Sequence, residues 1–162
     1  MKTRTQRALE MALKAINAID SIKEKLKKED IGPKFRTRAE RAATMIPSLG
    51  LIPTLSFFYS KAGTQCYSEL ARIYDNGEVN VDKLNLDALK DDISPEKISY
   101  GLYLRFILAF LKEEGVISSD DINKAFEEFS KDPMKVYLAT KVLEPFLLEC
   151  KKLASAMYKE ER

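Results

Sequence analysis

Apolar residues recur along most of this chain with the spacing of helices, and short breaks separate the runs. From Thr5 to Lys28, Leu9, Ala12, Ile16, Ile19, Ile22 and Leu26 fall three and four positions apart, which predicts one long amphipathic helix with an apolar stripe. Lys14, Lys23, Lys25, Lys27 and Lys28 crowd its other faces. Asp30-Ile31-Gly32-Pro33 reads as a break, with Pro33 suited to the first position of the next helix. That helix, about 33–45, should bury Phe35, Ala39, Ala42 and Ile46. Pro47 and Gly50 then interrupt the pattern. The dense apolar run Ile52 to Lys61 fits a short, nearly buried central helix, with a buried strand as the competing reading.

Gln65 to Tyr74 predicts another short helix with Tyr67, Leu70, Ala71 and Tyr74 on one side. The acidic stretch of about 75–93 reads as a long exposed loop with one helical turn and a turn signal at Asn76-Gly77. Ser94-Pro95-Glu96 is a strong helix start: a capping hydroxyl, a proline at the first position and a carboxylate near the positive end of the helix dipole. This helix should carry Tyr103, Leu104, Ile107, Leu108 and Leu111 inward and stop near Gly115. Ser119-Asp120-Asp121 opens a shorter helix to Phe129. Asp132-Pro133 opens the last one, with Leu138, Val142, Phe146, Cys150, Leu153 and Met157 inward and a kink at Pro145. The expected fold is all-α: a single compact bundle of about six or seven helices, one domain spanning residues 1–162.

Composition agrees, with 45% hydrophobic and 32% charged residues, too apolar for a disordered chain. No apolar run approaches the roughly 20 residues that span a bilayer, and Met1 to Leu13 lacks a signal peptide's apolar region, so a cytoplasmic location and no membrane partner are expected. Cys66 and Cys150 stand far apart and read as two packed thiols. The chain has no histidine, which removes the commonest general base and leaves too few N/S ligands for zinc. No phosphate-binding glycine loop is present. The acidic pairs Asp91-Asp92, Glu113-Glu114 and Asp120-Asp121 lie at predicted helix ends or in the loop, where adjacent carboxylates diverge and read as surface or caps. No catalytic set, metal or cofactor is expected.

Charge changes the picture more. Residues 1–61 carry 13 Lys and Arg against 6 Asp and Glu, whereas the remainder carries 14 against 19. Such a chain can attract a polyanion at one surface, or a copy of itself head to tail. Lys34, Arg36, Arg38 and Arg41 form the densest basic cluster, read either as a solvated face or as phosphate-binding cations. Tyr59, Tyr67, Tyr74, Tyr100, Tyr103 and Tyr137 could stack on bases, but their spacing fits core edges better.

The arginine-bearing segment leads into Met45-Ile46-Pro47-Ser48-Leu49-Gly50-Leu51-Ile52-Pro53-Thr54-Leu55-Ser56-Phe57-Phe58-Tyr59-Ser60-Lys61. This stretch resembles the small subunit of the CRISPR type III-B (Cmr) RNA-targeting effector complex, in which an arginine-containing helix leads into a proline-to-Gly-Leu turn, here Pro47 to Gly50-Leu51, followed by an apolar helix closing on a lysine. Leu138-Ala139-Thr140-Lys141, Lys151-Lys152-Leu153-Ala154-Ser155-Ala156-Met157 and Lys159-Glu160-Glu161 resemble the end of that family, while Pro53 and Pro145 depart from its pattern. The resemblance implies a non-catalytic helical protein that stacks beside the guide-RNA backbone and helps hold target RNA in antiviral defence. Its partners would be the other Cmr subunits, guide RNA and target RNA. It makes Arg36, Arg38, Arg41 and Lys61 candidates for nucleic-acid or neighbour contacts, with Lys141, Lys151 and Lys152 behind them; Lys34 joins them from the basic cluster. A helical adaptor docking an acidic protein, with no direct RNA contact, is the alternative, and a small Mg²⁺ enzyme using Asp120 or Asp121 is a distant third.

Overall fold

The structure is a computed structural model and describes residues 1–89 and 93–161. Among these residues it holds seven α-helices: α1 (Arg4–Leu26), α2 (Ile31–Leu49), α3 (Leu51–Ala62), α4 (Thr64–Leu70), α5 (Pro95–Glu113), α6 (Ile122–Lys131) and α7 (Pro133–Met157). Local chemistry sets most of their ends. Thr3 and Gln6 exchange side-chain and backbone hydrogen bonds in a capping box at the start of α1. Ser94, Asp121 and Asp132 cap α5, α6 and α7 through their side-chain oxygens, with Pro95 and Pro133 in the first turn of α5 and α7.

The proline-rich region is helical on both sides of a single break. α2 continues past Pro47 to Leu49, because a proline so near the end removes one backbone hydrogen bond and its ring lies on the exposed side. The turn falls at Gly50, whose φ of 99° suits only glycine, and α3 starts at once with Pro53 in its first turn, where no amide donor is needed. The run Ile52 to Lys61 is therefore helix rather than strand.

It is not the central element, however. That place belongs to α5, in which every residue from Ile98 to Leu111 is buried. α1, α2, α3, α4 and α7 all pack on it, so it needs apolar or satisfied residues around its whole circumference. Gly101 lets α4 approach: a Cβ there would stand 2.7 Å from Leu70 Cδ1. α3, by contrast, keeps Pro53, Ser56, Phe57 and Ser60 at the surface. Ring contacts knit the centre, with Phe110 stacked on Phe146 at 5.2 Å and Phe58 edge-on to Tyr100 at 5.1 Å.

Three expected core positions lie elsewhere. Leu9 is 38% exposed, because α1 buries the alanine side of its stripe (Ala8, Ala12, Ala15, Ala18), where small side chains let neighbouring helices come close. Leu138 and Met157 on α7 are each 51% exposed; α7 turns Ala139, Val142, Leu143, Phe146, Leu147, Cys150 and Ala154 inward instead. Just beyond α7, Tyr158 locks the C-terminal segment down. Its hydroxyl donates to Asp20 at 2.6 Å, Lys23 lies 5.6 Å over its ring, and Gly32 leaves room for that ring.

The expected open acidic loop is partly ordered by backbone pairing. β1 (Tyr74–Asp75) and β2 (Glu78–Val79) form an antiparallel hairpin, with Asn76 and Gly77 both at positive φ in its turn. 3₁₀ turns at Val81–Lys83 and Leu86–Leu89 follow, and Leu84 and Leu89 are buried against the core. Lys28 donates to the carbonyls of Leu89 and Ile93 across the segment. The pair Asp91-Asp92 lies outside the described residues.

Both cysteines are free and buried, and burial pushes the Cys66 thiol up to about 11, far from the thiolate form. The other two acidic pairs are absorbed by the fold. Glu113 accepts from the Tyr74 hydroxyl, and Asp121 caps α6. Glu114 accepts from Arg4 Nε at 2.9 Å and from Arg7 Nε and Nη2 at 2.6 and 2.9 Å, which ties the start of α1 to the end of α5. The Arg7 hydrogen bond, outweighing burial and helped by Arg4, holds the Glu114 carboxyl below the usual carboxylate value. Its contribution to stability is complete above the unfolded value of about 4.3 and disappears as pH falls through the lower folded one. The urea midpoints of the wild type and Glu114→Gln should therefore differ most above about pH 5 and converge in acid.

Candidate nucleic-acid interface

The eight basic residues singled out by sequence fall into three places. Lys34 and Arg36, in the first turns of α2, are engaged with the C-terminal segment. Lys34 Nζ lies 3.3 Å from Glu161 Oε1. Arg36 donates from Nε to Glu40 at 2.9 Å and from Nη1 to the Tyr158 carbonyl at 2.9 Å. Both act in the fold as ties, with few donors left for a ligand.

Lys141, Lys151 and Lys152 lie on the outward side of α7. Lys141 pairs with Glu144 at 3.5 Å, Lys152 with Glu149 at 3.0 Å, and Lys151 is exposed with no ion-pair partner among the described residues. Met134, Leu138 and Leu148 share the strip of Lys141 and Lys152 by helical spacing and are 69%, 51% and 52% exposed. This is a mixed apolar and basic strip that no element among the described residues covers.

The structure brings Arg38, Arg41 and Lys61 together on a third surface, built by α2, α3 and the start of α5. Arg38 is the unexpected member. Its side chain is only 3% exposed and its guanidinium carbon lies over the Tyr100 ring, 4.0 Å from the ring centre. Glu96 stands 3.8 Å from Nη1, too far for a hydrogen bond, and neither Nε nor Nη1 has a hydrogen-bond partner. Burial pulls the Arg38 pKa below the ordinary guanidinium value; Tyr100 works against that shift and the adjacent Arg41 adds to it. The cation over the Tyr100 ring adds positive potential just beneath this surface, while its two unpartnered donors are themselves buried.

Tyr100 in turn meets Phe57 edge-on at 5.9 Å, and Lys61 Nζ lies 5.4 Å over the Phe57 ring. Arg41, one turn beyond Arg38, and Lys61 are exposed and have no ion-pair partner among the described residues. Lys97, one turn before Tyr100 on α5, is also exposed and without such a partner. The surface therefore combines cations with a half-open phenylalanine. Sequence reasoning overlooked Phe57 and Lys97, since an aromatic within an apolar run and a lone lysine near a helix start carry no signal by themselves. Of the six tyrosines considered for stacking, Tyr67, Tyr74, Tyr100 and Tyr103 are buried, Tyr59 is half-buried and Tyr137 is exposed.

Among the described residues no helix is long and apolar enough to cross a membrane, and no group of three or more carboxylates or thiols is placed to hold a metal ion. Known proteins resemble the chain along most of its length. A curated relative, the CMR subunit Cmr5 of the CRISPR system of Saccharolobus solfataricus, is 29% identical over 154 residues, covering 91% of this chain and 90% of that one. A chain of the type III-B Cmr-beta complex bound to cognate target RNA and AMPPnP, solved by cryo-EM, superposes with a TM-score of 0.68 at 20% identity, covering 94% of this chain and 98% of that one. The family model of the CRISPR-associated protein Cas_Cmr5 matches residues 4–157, and the chain belongs to that family.

Proposed function

We infer that this chain is a small subunit of a type III-B Cmr ribonucleoprotein complex, stacking beside the guide-RNA backbone and helping to hold target RNA. Its role is to position other molecules rather than to catalyse. The observation that carries the RNA-holding part is the Arg38, Arg41 and Lys61 surface. Arg41 and Lys61 are exposed and have no ion-pair partner among the described residues, so they can neutralise phosphates, and the buried Arg38 adds positive potential beneath them. Contacts of this kind are blind to sequence, as suits a subunit that leaves base reading to a guide. Lys34, Arg36, Lys141, Lys151 and Lys152 are secondary candidates, the first two reachable only if the C-terminal segment yields.

The alternative, an adaptor with no direct RNA contact, is favoured by the uncovered strip of Met134, Leu138 and Leu148, an apolar surface suited to a neighbouring subunit. Head-to-tail association with a second copy is compatible with the unequal charge of the two ends. Affinity purification from the host distinguishes membership from coincidence. A tagged chain should bring down the large Cmr subunits together with guide RNA, and their absence from a chain expressed at native level would overturn the assignment. Within that complex, binding of target RNA should weaken with salt when this subunit contributes phosphate contacts. A salt response unchanged by removing the subunit would favour the adaptor.

A further inference from the structure

The basic row of α2 has one member that the chain itself keeps occupied. Lys34, Arg38 and Arg41 follow at i, i+4 and i+7 and so lie along one face of the helix, with Lys34 about 6 Å along the axis before Arg38. Arg38 and Arg41 belong to the candidate RNA surface, whereas Lys34 Nζ stands 3.3 Å from Glu161 Oε1. The pair alone would hold Glu161 weakly, since the two side chains are 33% and 29% exposed and such pairs contribute little. Tyr158, three residues earlier, is what keeps it in place. That residue is 7% exposed, and its ring lies so close to Gly32 that a Cβ there would stand 2.6 Å from Cδ1. Its hydroxyl donates to Asp20 at 2.6 Å, and its carbonyl accepts from Arg36 Nη1 at 2.9 Å. So short a tether holds Glu161 at high local concentration beside Lys34.

Beyond Tyr158 the segment stands away from the helix. A cleft of about 350 Å³ opens between it and the start of α2, lined by Asp30, Pro33, Lys34, Lys159, Glu160 and Glu161. Glu161 thus meets Lys34 at the mouth of an open cleft rather than through apolar contact, and the pair can part without uncovering the core. Lys34 has no other ion-pair partner among the described residues. The Glu161 carboxylate also acts on Arg38: burial lowers the Arg38 pKa most, and Glu161 is among the groups whose charge opposes that fall. The cleft itself is no anion site, because Asp30, Glu160 and Glu161 outnumber Lys34 and Lys159. Released from Glu161, however, the Lys34 ammonium on its flexible four-carbon stem can turn toward Arg38 and Arg41, and the row gains a third cation.

We propose that Glu161 is a built-in competitor for RNA phosphate: its carboxylate occupies Lys34 in the free protein and yields it to the backbone of a bound strand, while Tyr158 stays locked. The proposal rests on the RNA-holding reading and adds a regulation of that surface. Amide NMR signals of the full chain would be followed as a single-stranded oligouridylate is added at low salt. The Glu161 signal should move together with those of Arg41 and Lys61, and that of Tyr158 should stay. Glu161→Gln should bind the same strand about threefold tighter, a gain on the scale of one exposed ion pair. The gain should shrink as salt screens the pair it removes. Glu160→Gln takes the same charge from the cleft without touching the Lys34 pair, so it gauges the general effect of charge and should gain less. In a Lys34→Gln background the two glutamine variants should become equal. Point substitutions serve better than truncation, which would also remove Lys159 and Arg162. Equal gains from the two variants, or a difference that survives Lys34→Gln, would overturn the proposal. So would a Glu161 signal that stays still while Arg41 and Lys61 respond, an outcome that leaves the RNA-holding reading intact. A free chain that shows no response to the strand at all also defeats the masking, and the copurification and salt-series tests on the assembled complex then judge RNA holding separately.

Discussion

Replacing Arg105 by methionine should cost about 3–5 kcal/mol, the scale on which breaking one side of a buried ion pair destabilises a protein. Methionine keeps the apolar stem within α5 but removes every polar function of the side chain. The carbonyls of Ala71 and Tyr74 would lose donors at 2.9 Å, and Asp120 would lose the nearer of its two cations, at 3.0 Å, keeping Lys112 at 3.9 Å. The Tyr74 ring would also lose the guanidinium 5.3 Å from its centre. The loss is a large part of the 5–15 kcal/mol typical of a whole domain. Urea unfolding should show a lower midpoint at an unchanged slope. Hydrogen exchange should show that amides of the hairpin and the 3₁₀ turn at Val81–Lys83 lose protection first, because Arg105 fastens the chain leading into them. Asp120→Asn should cost less, since it leaves both carbonyl hydrogen bonds in place. A loss under about 1 kcal/mol for the methionine variant would mean that the freed carbonyls simply turn to water.

Arg105 also marks the boundary of what the amino-acid order can reveal. Within the buried run of α5 it is one charge among apolar residues, and its partners, Ala71, Tyr74 and Asp120, belong to separate segments. Features decided within a few residues were legible: the caps at Ser94, Asp121 and Asp132, the Asn76-Gly77 turn, and the Phe35, Ala39, Ala42, Ile46 face of α2. The choice of central helix was not, because a short apolar run and one side of a longer helix look alike until packing chooses between them. Lys34 and Arg36 looked as free as Arg41; they differ only because Tyr158 and Glu161 fold back onto α2. Arg38 looked like a surface cation and lies buried on Tyr100, a residue far along the chain. Charge density was readable, whereas charge availability was set by tertiary contacts.

That distinction decides which substitutions probe RNA holding. Reversing Arg38 would drive a carboxylate into a site with 3% exposure and confound binding with folding. Arg41→Glu with Lys61→Glu is the clean variant, since both side chains are exposed and release no ion pair when changed. Each lost phosphate contact should make the dependence of log K on log salt shallower by about 0.7 for a single strand. Losing two gives a slope change of about 1.4 and a weakening of roughly tenfold near physiological salt, before the repulsion added by the new carboxylates. Several copies along one strand would multiply the effect. Thermal midpoints should stay within the small range usual for surface changes, about 0.5 kcal/mol. Arg38→Met completes the design: it keeps an apolar stem on Tyr100, removes a desolvated cation without hydrogen-bond partners, and should be neutral or stabilising while still weakening RNA retention. Measured in the assembled complex across a salt series, a slope unchanged by the double reversal would remove this surface from contact with RNA and leave α2 and α3 facing a protein neighbour.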